Sequence, residues 1–102
     1  MSKRELRRVV TSFRRGILGR RSSQSMCFVV CAPLQGWLSS CGLETDMMEA
    51  DFGETSHVWL RLTNGEIIDP TADQFGLEPV YIGPVPDVYH RMMIGEALEC
   101  DR

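Results

Sequence analysis

The chain has 102 residues, 43% hydrophobic and 25% charged, the balance of one globular domain and not of a disordered, collagen-like or repetitive chain. No apolar run approaches the roughly 18–20 residues that cross a bilayer, and the basic N-terminus lacks the apolar stretch of a secretory signal, so an unprocessed cytoplasmic protein is expected. Charge is uneven: residues 1–21 hold eight basic side chains against Glu5 alone, whereas 22–102 hold three against 13 acidic ones.

In chain order, Leu6, Val9, Val10, Phe13 and Ile17 recur at three- and four-residue spacing and predict an amphipathic helix over 3–18. Ser2 and Glu5 read as its capping box, Gly19 as its stop. The stripe predicts that this basic helix packs on the acidic body of its own domain. No aromatic residues interleave with the arginines as stacking platforms would, which argues against nucleic acid; an acidic or host partner is the sharper alternative. Residues 19–25 have loop composition. A second helix is expected from Ser25 or Met26 to about Cys41, apolar nearly all round and therefore central and buried. Pro33 falls about two turns in, where it would kink that helix, or else marks its first position.

Thr45–Phe52 reads as an irregular strand. Ser56–Leu62 reads as a regular one, with His57, Trp59 and Arg61 on one face and Val58, Leu60 and Leu62 on the other. Asn64-Gly65 signals a hairpin, Glu66–Asp69 is the return strand, and Pro70 ends it. Val80–Ile82 suggests a short edge strand and Val88–Leu98 a closing helix. The order argues an α+β fold, with N-terminal helices and one central buried helix on a small antiparallel sheet. We divide the single domain, 1–102, into a basic helix and loop at 1–21, a core at 25–75 and a C-terminal edge segment at 76–102.

Four cysteines, Cys27, Cys31, Cys41 and Cys100, are expected to be reduced thiols. Cys27 opens the central helix, where unpaired N–H groups favour a thiolate and a developing oxyanion. His57 opens a strand and Asp69 ends the next one, so the carboxylate can orient the imidazole and the imidazole can activate the thiol. Counting outward from a two-residue Asn-Gly turn leaves His57 and Asp69 three residues, roughly 10 Å, out of step. Zinc held by Cys27, Cys31 and His57 is the chief chemical rival, but no second ligand pair has metal-site spacing, so no metal and no cofactor is expected.

His-Val-Trp-Leu at 57–60 followed by Ile-Ile-Asp-Pro-Thr at 67–71 resembles the second half of the transglutaminase-like group of the papain-like cysteine enzymes. Cys-Phe-Val-Val-Cys-Ala-Pro-Leu at 27–34 and Asp-Pro-Thr-Ala-Asp-Gln-Phe at 69–75 extend the resemblance to small phage and bacterial proteins of that type. It covers about residues 25–75. Three departures stand out: Cys31 where a serine is expected, Pro33 where a helix former is expected, and a chain with little room for a substrate-binding lobe. The resemblance implies a papain/transglutaminase-like fold and a Cys27-His57-Asp69 triad. It further implies a thiol-dependent hydrolase or acyltransferase acting on an amide or ester of a peptide, protein or small substrate. Gln74, from the shared motif, and Gln24, near the cysteine, are candidate oxyanion donors; Trp59 is a candidate site wall. The alternative is a non-catalytic interaction protein on the same fold, binding a host factor or nucleic acid.

Overall fold

The computed structural model describes residues 1–100; Asp101 and Arg102, the last two of the C-terminal segment, lie outside the described residues. Helix α1 spans Lys3–Leu18, with Ser2 accepting from the Glu5 N–H at 3.1 Å. Leu6, Val10 and Leu18 are buried, whereas Val9, Phe13 and Ile17 are only half-buried, so the apolar stripe is wider than the surface it covers. Two of the arginines, Arg14 and Arg7, bind the domain's own residues 70–80. Arg14 grips Asp73 bidentately, at 2.9 and 2.8 Å, and donates to the Pro70 carbonyl at 2.9 Å. Arg7 donates to the Val80 carbonyl at 2.7 Å.

Helix α2 spans Cys27–Ser40 and runs unbroken through Pro33, which does not begin it. The proline and the Val29 carbonyl it leaves unpaired lie on the solvent side, so water can satisfy that group. Val30, Cys31, Leu34 and Leu38 are fully buried. The expectation of burial all round is corrected: Phe28, Val29 and Trp37 are 55%, 46% and 41% exposed. Only one stripe of α2 meets the sheet, because α1 covers just part of its outer surface.

Five strands follow: β1 Asp46–Asp51, β2 Ser56–Arg61, β3 Ile67–Asp69, β4 Tyr81–Gly83 and β5 Ile94–Glu99. They form one antiparallel sheet in the order β4-β3-β2-β1-β5. A 3₁₀ turn, Ala72–Phe75, follows β3, and α3, Asp87–Met92, lies between β4 and β5. The closing helix expected over 88–98 is thus half helix and half strand. Met93 is extended and Gly95 has φ +78°, a combination no helix continues through. The C-terminal segment supplies both edges of the sheet.

Alternation along the strands sorts the core. Met47, Val58, Leu60, Ile68 and Ile82 face α1 and α2. Met48, Ala50, Trp59 and Ile67 face the other way, toward Phe52, Phe75 and Tyr89. Among the described residues no helix is long and apolar enough to cross a membrane.

The β2–β3 turn decides the site. Leu60 pairs with Ile68 and Arg61 with Ile67, and the Leu62 N–H donates to the Glu66 carbonyl at 2.8 Å. The loop therefore holds three residues, Thr63-Asn64-Gly65, not two, with Gly65 in the left-handed region at φ +90°. The extra residue shifts the register by one. Asp69 becomes level with Trp59 on the face that carries His57, two positions from it, and a diagonal neighbour replaces the three-residue offset. Gly65→Ala places a Cβ where the backbone is left-handed and should cost about 1–2 kcal/mol. A lowered urea midpoint at unchanged slope checks this.

Candidate active site

Asp69 is fully buried, and both its oxygens are occupied. Its Oδ1 accepts from the Thr71 N–H at 3.0 Å and from Thr71 Oγ1 at 3.4 Å. Its Oδ2 accepts from His57 Nε2 at 2.5 Å and from the Tyr89 hydroxyl. Pro70 and Thr71 leave the sheet line here, so the strand end wraps its own carboxylate.

His57 is 1% exposed and stands in an aromatic box. Phe75 meets it edge-on with ring centroids 4.5 Å apart; Phe52, Tyr89 and Trp59 stand at 5.6, 5.6 and 5.8 Å. Burial alone would lower the imidazole's pKa. Hydrogen bonds and charge from Asp69 and Cys27 outweigh it and lift the pKa to about 9.

Cys27 is half-buried at the first position of α2. Burial would raise its pKa, but hydrogen bonds from His57 and from the Val58 and Phe28 main chain, together with the charge on His57, bring it below the usual thiol value. Nε2 of His57 is committed to Asp69, which leaves Nδ1 for the thiol. The thiol approaches from the helix side of the sheet and the imidazole from the aromatic side. Cys27 interacts with both His57 and the Val58 main chain. No side chain caps α2, so the positive end of the helix faces the Cys27 sulfur, which the Phe28 N–H already meets.

Cys31, one turn on, has its thiol 3.7 Å from the Val58 carbonyl, is fully buried, and is pushed well above the usual thiol value by burial. It is a core residue. Among the described residues no group of three or more His, Cys, Asp or Glu side chains is arranged to hold a metal ion.

Gln74 accepts the Ser25 N–H at 3.1 Å and donates to the Thr71 carbonyl at 3.2 Å, which ties the loop before α2 to the 3₁₀ turn. Ser23 Oγ, 2.6 Å from Asp73, adds a second tie. Gln24 is exposed, and its side chain joins none of these bonds. Trp59 is buried and walls the His57 box. Two groups escaped the sequence: Tyr89, whose hydroxyl reaches Asp69, and the Asp73–Arg14 pair. Asp73 stands inside the quoted 69–75 motif, and that was the one available signal for it.

Compared with known proteins, the chain matches no family model, no curated protein and no solved structure.

Asp69→Asn removes the charge that raises His57 and leaves burial opposing protonation. The His57 pKa should fall from about 9 toward or below its ordinary value of 6.5. Ring-nitrogen titration by NMR reads it directly; an unmoved pKa would show that Asp69 does not govern the imidazole.

Proposed function

We propose that this protein is a thiol-dependent acyl-transfer enzyme of the papain/transglutaminase-like kind, acting on amide or ester bonds. One observation carries the reading. A half-buried thiol at a helix N-terminus stands beside a buried imidazole that a buried carboxylate holds at 2.5 Å, with the thiol's pKa lowered and the imidazole's raised. Those opposed shifts favour a thiolate beside an imidazolium at neutral pH, the state a cysteine nucleophile needs.

The chemistry follows from the positions. Cys27 Sγ attacks the carbonyl carbon, and the electron pair moves onto the carbonyl oxygen, whose negative charge the N-terminus of α2 favours. The imidazolium of His57 passes its Nδ1 proton to the departing amine or alcohol as the C–N or C–O bond breaks, leaving a thioester. Neutral His57 then takes a proton from the incoming water or amine, and sulfur leaves as thiolate. Water gives hydrolysis; an amine gives transfer. Asp69 keeps Nε2 protonated and fixes the ring throughout, while Tyr89 and Thr71 fix Asp69.

A non-catalytic binder on the same fold is the second reading. A groove of about 490 Å³ between α1 and α2, lined by Val9, Phe13, Ile17 and Trp37, favours it.

Iodoacetamide separates the two. In the enzyme reading Cys27 alkylates faster than Cys41 at neutral pH, and its rate holds down to a pH below the ordinary thiol range. His57→Ala should move the midpoint up toward 9.0, the unshifted value. Cys27→Ala should abolish turnover of amide and ester substrates and keep the fold, whereas Cys31→Ala should cost stability by about 1 kcal/mol or more. Equal labelling of Cys27 and Cys41, with an unshifted profile, would leave the binder.

A further inference from the structure

The helix side of the sheet is only partly covered. Glu49 lies opposite Val58 in β2 and opposite Leu98 in β5, and Asp51 lies opposite Ser56 and Ile94. These residues, with Glu96, share the face that α2 covers farther along. Here that face is open: Ile94 and Leu98 are 62% and 68% exposed, and the acids are exposed too. Together with Glu54 they line a groove of about 560 Å³. Among the described residues none of Glu49, Asp51, Glu54 and Glu96 forms an ion pair; the salt bridges formed are Lys3–Glu66, Arg7–Glu78, Arg14–Asp73, His57–Asp69 and Arg61–Asp46.

The groove adjoins the thiol. Cys31, one turn along α2 from Cys27, has its sulfur 3.7 Å from the Val58 carbonyl, and Glu49 is one strand from Val58, Leu98 two. At about 4.8 Å per strand the groove begins within roughly 5–10 Å of Val58, on which the first turns of α2 pack. Ser56, on its rim, directly precedes His57.

We infer that this groove is the substrate shelf of the thiol site, and that it takes a peptide segment carrying lysine or arginine together with apolar side chains. The inference rests on the acyl-transfer reading. The carboxylates match a cationic segment in charge, and Ile94 and Leu98 offer it apolar contact. Nearness to the first turn of α2 separates this shelf from the α1–α2 groove, which is lined by Val9, Phe13, Ile17 and Trp37.

The test uses the full chain and two peptides bearing a chloroacetamide, one rich in lysine and leucine, the other with glutamate in place of lysine. Sulfur displaces chloride from the warhead, so labelling of Cys27 reports docking. The lysine peptide should label Cys27 about tenfold faster or more at low salt. Glu49→Gln/Glu96→Gln should erase most of that preference. Glu44→Gln/Glu78→Gln, which removes the same charge elsewhere, should retain it, and free chloroacetamide should react equally with all three proteins. Equal rates for the two peptides, or equal loss in both double variants, would overturn the shelf while leaving the thiol reading intact. If free chloroacetamide shows no preference for Cys27, the thiol reading fails. Fluorescence anisotropy of an unreactive lysine–leucine peptide then decides the shelf alone: binding weakened only by Glu49→Gln/Glu96→Gln supports it, and no binding sinks it.

Discussion

A carboxylate with no access to water organises this molecule. Burying an ionised Asp69 is costly unless every lone pair has a donor and a counter-charge stands close. Four donors come from three places: the main chain and hydroxyl of Thr71, the ring of His57 on β2, and the hydroxyl of Tyr89 on α3. Each fixes a different part of the chain. The Thr71 bonds bend the backbone out of the sheet at Pro70, the His57 bond joins β2 to the end of β3, and the Tyr89 bond draws the C-terminal segment over the aromatic side. The segment beyond residue 76 is therefore part of the site's support and not merely sheet edge. Tyr89 stays protonated, since burial and the Asp69 charge push its pKa up, so it remains a donor at any working pH.

The two halves of the site are unequally dry. His57 and Asp69 are enclosed by rings and backbone, whereas Cys27 is half-open. Inside the box, attraction between imidazolium and carboxylate is weakly screened and keeps the ring oriented. At the thiol, the surface stays open to solvent. The loop before α2 sets that opening. Among the described residues Ser25, at φ +61°, is the one non-glycine residue in the left-handed region, and Gln74 holds its N–H. Asp73 holds Ser23 and is itself held by Arg14, whose guanidinium keeps the Asp73 carboxyl below its usual value. The basic helix thus reaches the loop before Cys27 through one ion pair.

Much of this was legible because it is local. Apolar spacing located α1, alternation sorted the faces of β2, and the Pro70 break marked where β3 stops. What escaped was non-local or ambiguous in period. Tyr89 lies 20 residues from its partner, and no repeating pattern connects them. Ile94 and Leu98 stand four apart, which puts them on one face of a helix and equally on one face of a strand; only Gly95 and the open edge beside β1 favour the strand. The Asn-Gly pair marked the β2–β3 turn but not its length, because the hydrogen bonds that set the length begin at Leu62.

That turn has a consequence for fidelity. β3 offers the sheet two successive isoleucines, Ile67 toward the aromatic side and Ile68 toward the helices, both buried. A one-residue slip would exchange them with little loss of apolar burial, so the core is nearly blind to the error. Asp69 is not: slipped, it would turn its charge in among Leu34, Val80 and Ile82 with no donor waiting. The residue that would orient the imidazole also proofreads the strand, and correct pairing and a competent site become one event in folding.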